Sequence, residues 1–178
     1  MYKISVLLLL FTTVTFAADQ PDAHPVVDAK HVRPALTSQV FVRKASQDGL
    51  LEVQAGQLAL SKSNDAAIKT FAQKMVTDHG NANTELASIV EDHTLLAKQL
   101  DSAHQAKLDA LSQKSGSDFD QAYAKAMMEG HVKAVRLFTS AAHSTAVSPE
   151  LQQFASKTLP KLKEHHKRSM QLTSAATK

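Results

Sequence analysis

Apolar residues recur along most of this chain at intervals of three and four, the spacing that lines them up on one side of an α-helix. Between Ser38 and Lys62 that spacing puts Phe41, Ala45, Ala55 and Ala59 on one line, flanked by Val42, Leu51, Val53 and Leu58. Thr37 or Ser38 is the expected cap. Asn64 is expected to cap a second helix reaching about Asp92, with Ile68, Phe71, Ala72, Met75, Leu86 and Ile89 on its apolar face. Thr94 to Leu100 reads as a connection, and Asp101 as the cap of a shorter helix that Gly116 ends. Ser117, with Asp120 three residues on, resembles a capping box that opens a long helix to about Ala142. Ser148 followed by Pro149 opens the last helix, which Pro160 should kink rather than end, because the apolar period continues beyond it. The pattern predicts an all-α protein: a four-helix bundle with a short extra helix between its second and third members.

Each apolar face carries an ionisable residue near its centre. Glu52 lies about 20° from the middle of the first face, and His79 sits between Met75 and Leu86 on the second. Asp120 and His131 fall inside the third, and His165 and His166 straddle Leu162 on the fourth. Burying a charge without a partner costs several kcal/mol, so these groups must answer one another. A rise of about 1.5 Å per residue puts them at comparable depths if neighbouring helices run antiparallel.

Glu52, His79, His131 and His165 are therefore the candidate ligands of one divalent metal ion, Zn, Mn, Fe or Cu, held in the bundle core. Asp48, Asp78, Asp120 and Tyr123 are the candidates for outer partners, the carboxylates as acceptors for imidazole N–H groups. The bland account of Tyr123 is core packing. That of the whole set is a metal-free network in which Glu52 pairs with a protonated histidine and fixes helix register. His93, His104 and His143 read as surface residues.

Composition adds an address. Lys3, the apolar run Ile4 to Phe16, and then Ala17 and Ala18 have the form of a secretory signal peptide over residues 1–17. Residues 18–37 contain Pro21, Pro25 and Pro34 without periodicity and read as a flexible arm, leaving 38–176 for the helical domain. There is no cysteine, hence no disulfide framework. Net charge is +3, but 20 basic residues interleave with 17 acidic ones, so no basic stripe for nucleic acid forms. The cluster Lys157, Lys161, Lys163, Lys167 and Arg168 is a solvated helix face. No second apolar run is long enough to span a membrane. A periplasmic or secreted protein is expected, with an envelope protein as its conceivable partner.

The stretches LLEVQAGQLAL, TFAQKMVTDH, SGSDFDQAYAKAMMEGHVKAV and FASKTLPKLKEHH, in that order, resemble the exported bacterial family called domain of unknown function 4142. The resemblance spans about Gln39 to Gln171 and implies a ferritin-like four-helix bundle. The positions matching that family's pattern are Glu52, Asp78, His79, Asp120, Tyr123, His131, Pro160 and His165. It brings no activity with it. A di-iron carboxylate site needs Glu-x-x-His pairs, and Val76, Met128 and Leu162 stand three residues before His79, His131 and His165. Iron-storage chemistry therefore does not carry over; a storage, sensing or envelope-stress role without a defined reaction is the expectation.

Overall fold

The computed structural model describes residues 36–176, so the expected signal peptide and nearly all of the arm lie outside the described residues. Five α-helices follow in order: α1 Ser38–Lys62, α2 Ala66–Ile89, α3 Ser102–Ser112, α4 Gly116–His143 and α5 Pro149–Ala176, with a 3-10 turn at His93–Leu95. No strand occurs among the described residues, and none of the helices is long and apolar enough to cross a membrane.

Hydrogen bonds between distant segments fix the topology. Ser38 N donates to the Ala146 carbonyl, so α1 starts beside the loop joining α4 to α5. Lys62 Nζ lies over the Phe119 ring, which puts the end of α1 beside the start of α4. The connection after α2 is tied to α1 by Ala97 N donating to Ser46 Oγ at 3.1 Å and Gln47 Nε2 to the Gln99 carbonyl at 3.1 Å. Lys62 Nζ bonds the Ser112 carbonyl at the far end. The chain thus returns along α1 before α4 begins, so α2 and α4 run in the same sense. This single long crossover is the ferritin-like order.

The helix ends depart from expectation in detail. Asp65, not Asn64, caps α2: its Oδ1 accepts from Ala67 N at 2.7 Å and Ile68 N at 2.8 Å, a carboxylate placed where the helix dipole favours one. α2 stops at Ile89, where Val90 turns extended and lets Leu95 and Leu96 fold back onto the core. Gly116 does not end α3. It is the first residue of α4, at φ +54, and Ser115 precedes it at the cap position without a side-chain bond, so the expected Ser117 box does not form. α5 runs through Pro160 as expected.

The core is in two parts. At the end holding the α4–α5 loop, Phe41, Phe138 and Phe154 meet with ring centroids 5.1 to 6.4 Å apart. At the other end Phe71, Phe119 and Tyr123 pack with Met75 and Met127, and Phe119 and Tyr123 stack at 9° and 6.1 Å. Fully burying one such side chain contributes roughly 1.5 to 3 kcal/mol. Glu52, His79, His131 and His165 occupy the level between the two clusters.

Candidate metal centre

Three imidazoles converge at that level. His79 from α2, His131 from α4 and His165 from α5 are buried, with one ring nitrogen of each within 4.8 Å of the others. Their ring centroids form a nearly equilateral triangle of 5.3 to 5.4 Å. His79 Nε2 and His131 Nε2 stand 3.4 Å apart. Two nitrogens bound to one tetrahedral zinc at about 2.05 Å lie about 3.3 Å apart, so this pair already has the spacing of a shared ion.

Outer bonds fix the proton on two of the rings. His131 Nδ1 donates to the Met127 carbonyl at 2.8 Å, which leaves Nε2 with its lone pair. His165 Nε2 donates to Asp78 Oδ2 at 2.9 Å, and His165 Nδ1 is buried with no hydrogen-bond partner among the described residues. Asp78 also accepts from Lys161 at 2.8 Å and lies 3.2 Å from Lys74. Burial pushes its pKa up, but the hydrogen bonds from Lys161, His165 and Lys74 outweigh that and hold it at about 2.

Burial keeps all three imidazoles neutral. The pKa of His79 falls well below the usual histidine value because it is desolvated, and charge on His131 or His165 would lower it further. Desolvation takes His131 to about 4 against the pull of the Met127 carbonyl, and it lowers His165 against Asp78. Neutral imidazole is the form that binds metal.

Glu52, the expected fourth ligand, is not in this group. Its Oε1 is 4.0 Å from His131 Nδ1, the nitrogen already committed to Met127, so the carboxyl approaches that ring at Nδ1. Glu52 Oε2 has no partner among the described residues. Burial, and then the charge of Asp48, raise its pKa to about 8. Two neutral groups face each other there, not the ion pair that a metal-free network was expected to contain. Holding Glu52 protonated at pH 7 against an ordinary value of 4.5 costs roughly 3 kcal/mol.

The other expected partners scatter. Asp48 Oδ1 lies 3.1 Å from His104 Nε2 on α3. His104 is accordingly no surface residue: its other nitrogen is 2.7 Å from Asp101, and the side chain is 16% exposed. A histidine three residues after an N-cap aspartate was the signal for that pairing. Asp120 Oδ1 and Tyr123 Oη are buried without partners among the described residues. The pKa of Tyr123 is raised, by burial first and then by Glu52. Of the two adjacent histidines on α5, His165 points inward and His166 is half-buried.

A family model described as domain of unknown function (DUF4142) matches residues 24–172. Among solved structures, a DUF305 protein from Streptomyces coelicolor, whose name proposes that it is secreted, superposes with a TM-score of 0.64 at 14% identity. The match covers 79% of this chain and 94% of that one. No curated protein matches the sequence.

Proposed function

The chain belongs to the DUF4142 family of domains of unknown function, and from that premise we propose that it is an exported protein holding one divalent transition-metal ion between His79, His131 and His165. The observation that carries this reading is His165 Nδ1: its ring is oriented by Asp78, and the free nitrogen is buried beside two other imidazoles with nothing to accept. An unmet polar atom in a core costs about 1 to 3 kcal/mol, and a bound cation removes that cost. Three imidazoles without thiolate suit Zn, Cu or Fe better than Mn. A His165 ring nitrogen already lies within 4.8 Å of one on each of the other two rings, and a shared tetrahedral ion would bring it to about 3.3 Å. Asp78 and the Met127 carbonyl then act as the outer acceptors that orient the ligating rings. Glu52 remains a candidate neighbour of the ion rather than a ligand.

Residues 1–17 serve as the export signal and 18–37 as the arm that joins it to the domain. A secreted-protein name on a structural relative supports the same address. The role follows the site: storage, sensing or buffering of a metal ion in the cell envelope.

The test is elemental analysis of protein purified without a His tag, followed by zinc and copper titration. One equivalent of metal, affinity of micromolar or better, and loss of both in His131→Ala are expected. Absence of stoichiometric metal, of micromolar affinity and of any effect of chelator on the melting temperature would overturn the reading. A metal-free network is the second reading, favoured by the 3.4 Å approach of His79 and His131, which a single N–H···N bond also explains. In that case the polar layer only sets helix register.

A further inference from the structure

A cavity of about 340 Å³ lies in the bundle beside the three histidines, with Glu52, His79 and His165 in its wall. That volume is at the small end of the range for ligand pockets, about 300 to 1,000 Å³. Away from the histidines Leu86, Ala134, Phe138 and Phe154 form an apolar strip of the wall, next to Thr158 and the Glu85–Lys157 ion pair. Exposed Lys107 and Lys133 stand at its margin. The cavity is thus polar at the histidine end, apolar along one strip, and bordered by side chains of both charges, Glu85 and Glu129 among them.

Two observations point to an occupant. Glu52 is 7% exposed and lines the cavity with Oε2 unpartnered. Gly130 faces the same carboxyl closely enough that a Cβ there would stand 2.9 Å from Oε1, so α4 leaves room at this point for Glu52 alone. Three neutral imidazoles also leave the charge of a divalent ion uncompensated in a dry core, since Asp78 is shared with Lys74 and Lys161. An open fourth position on such an ion attracts an anionic head group, and the wall beyond it attracts hydrocarbon.

Resting on the metal reading above, we propose that the cavity binds a small aliphatic carboxylate, whose head takes the open position of the ion and whose tail lies along Leu86, Ala134, Phe138 and Phe154. Metal and organic anion are then taken up together, which makes the protein a receptor for a metal–carboxylate pair rather than for the bare ion.

The experiment uses the whole mature protein loaded with cobalt(II), whose visible bands report its coordination, titrated with hexanoate and with acetate. Hexanoate should shift the bands saturably and bind at least about tenfold more tightly than acetate, because its extra methylenes leave water. Ala134→Leu fills the cavity and should keep cobalt while losing the preference for hexanoate; Ala82→Leu, on the facing wall, is the substitute if the first variant does not fold. Cobalt bound with no spectral response to hexanoate, or with equal response to acetate, overturns the carboxylate proposal and leaves the metal site standing. Failure to bind cobalt at all overturns both.

Discussion

Glu52 and the three histidines should give the metal-free protein opposing pH dependences. The folded-state pKa values of the histidines are depressed, so their contribution is present above the ordinary value of 6.5 and is lost as pH falls through it, because the unfolded chain takes up protons first. The pKa of Glu52 is raised from 4.5 to about 8, so its contribution is present below 4.5 and is lost as pH rises between those values. Stability of the chelated protein should therefore peak near neutrality and decline on both sides, as thermal melts across pH 5 to 9 would show. Glu52→Leu should abolish the alkaline decline and raise stability at pH 7 by up to about 3 kcal/mol, since an apolar side chain carries no proton to hold. An unchanged alkaline limb in that variant would mean that Glu52 is ionised in the fold. Two glycines in helices offer a control on crowding. At Gly80 a methyl group would meet only open space, whereas at Gly130 it would meet Glu52. Gly80→Ala should therefore gain about 0.5 to 1 kcal/mol and Gly130→Ala should not, by urea denaturation.

Among the elements, the caps and α3 separate local from tertiary control. Asp65→Ala should cost about 0.5 to 2 kcal/mol, because two backbone donors lose their acceptor. Ser117→Ala should change stability little, since Ser115 occupies the cap position and Ser117 makes no capping bond. α3 buries only Leu111 among its described residues and is held to α1 largely through polar groups: His104 to Asp48, Gln47 to Asp101 N, and Lys62 to the Ser112 carbonyl. Such an element opens locally at low cost. Limited proteolysis should cut first between residues 92 and 115, and His104→Ala should speed that cleavage severalfold while the melting temperature of the bundle moves little. Equal cleavage rates would show that α3 is held by something other than His104.

At the scale of the molecule, the three candidate ligands come from α2, α4 and α5, while α1 contributes the neighbouring Glu52. An ion bound as proposed would tie three helices together across the gap between the two aromatic clusters. With free metal at a hundred times its Kd, the gain is about 2.7 kcal/mol. Amide exchange should slow in α2, α4 and α5 on metal addition and stay unchanged in α3; uniform slowing, or none, would count against a site confined to these three helices.

The helices, their order and the identity of the polar core residues were legible along the chain, because burial imposes a period near 3.6 and an ionisable residue on an apolar stripe interrupts it visibly. His79, His131 and His165 lie inward for that reason. A helical wheel gives an angle and a depth on one helix but not which atom of a partner ring faces it. It therefore placed Glu52 with the histidines, whereas packing set it against the wrong nitrogen of His131, where burial keeps it protonated. Nor could it show that the crossover returns along α1, which pairs Asp48 with His104. Cap positions shifted by a residue or two, because neighbouring side chains able to cap compete there: Asp65 beside Asn64, and Ser115 beside Ser117. Periodicity along one chain is a local property, fixed by the sequence of each helix. Which buried groups meet depends on the relative rotation and register of helices far apart in sequence, and only the packed bundle decides that.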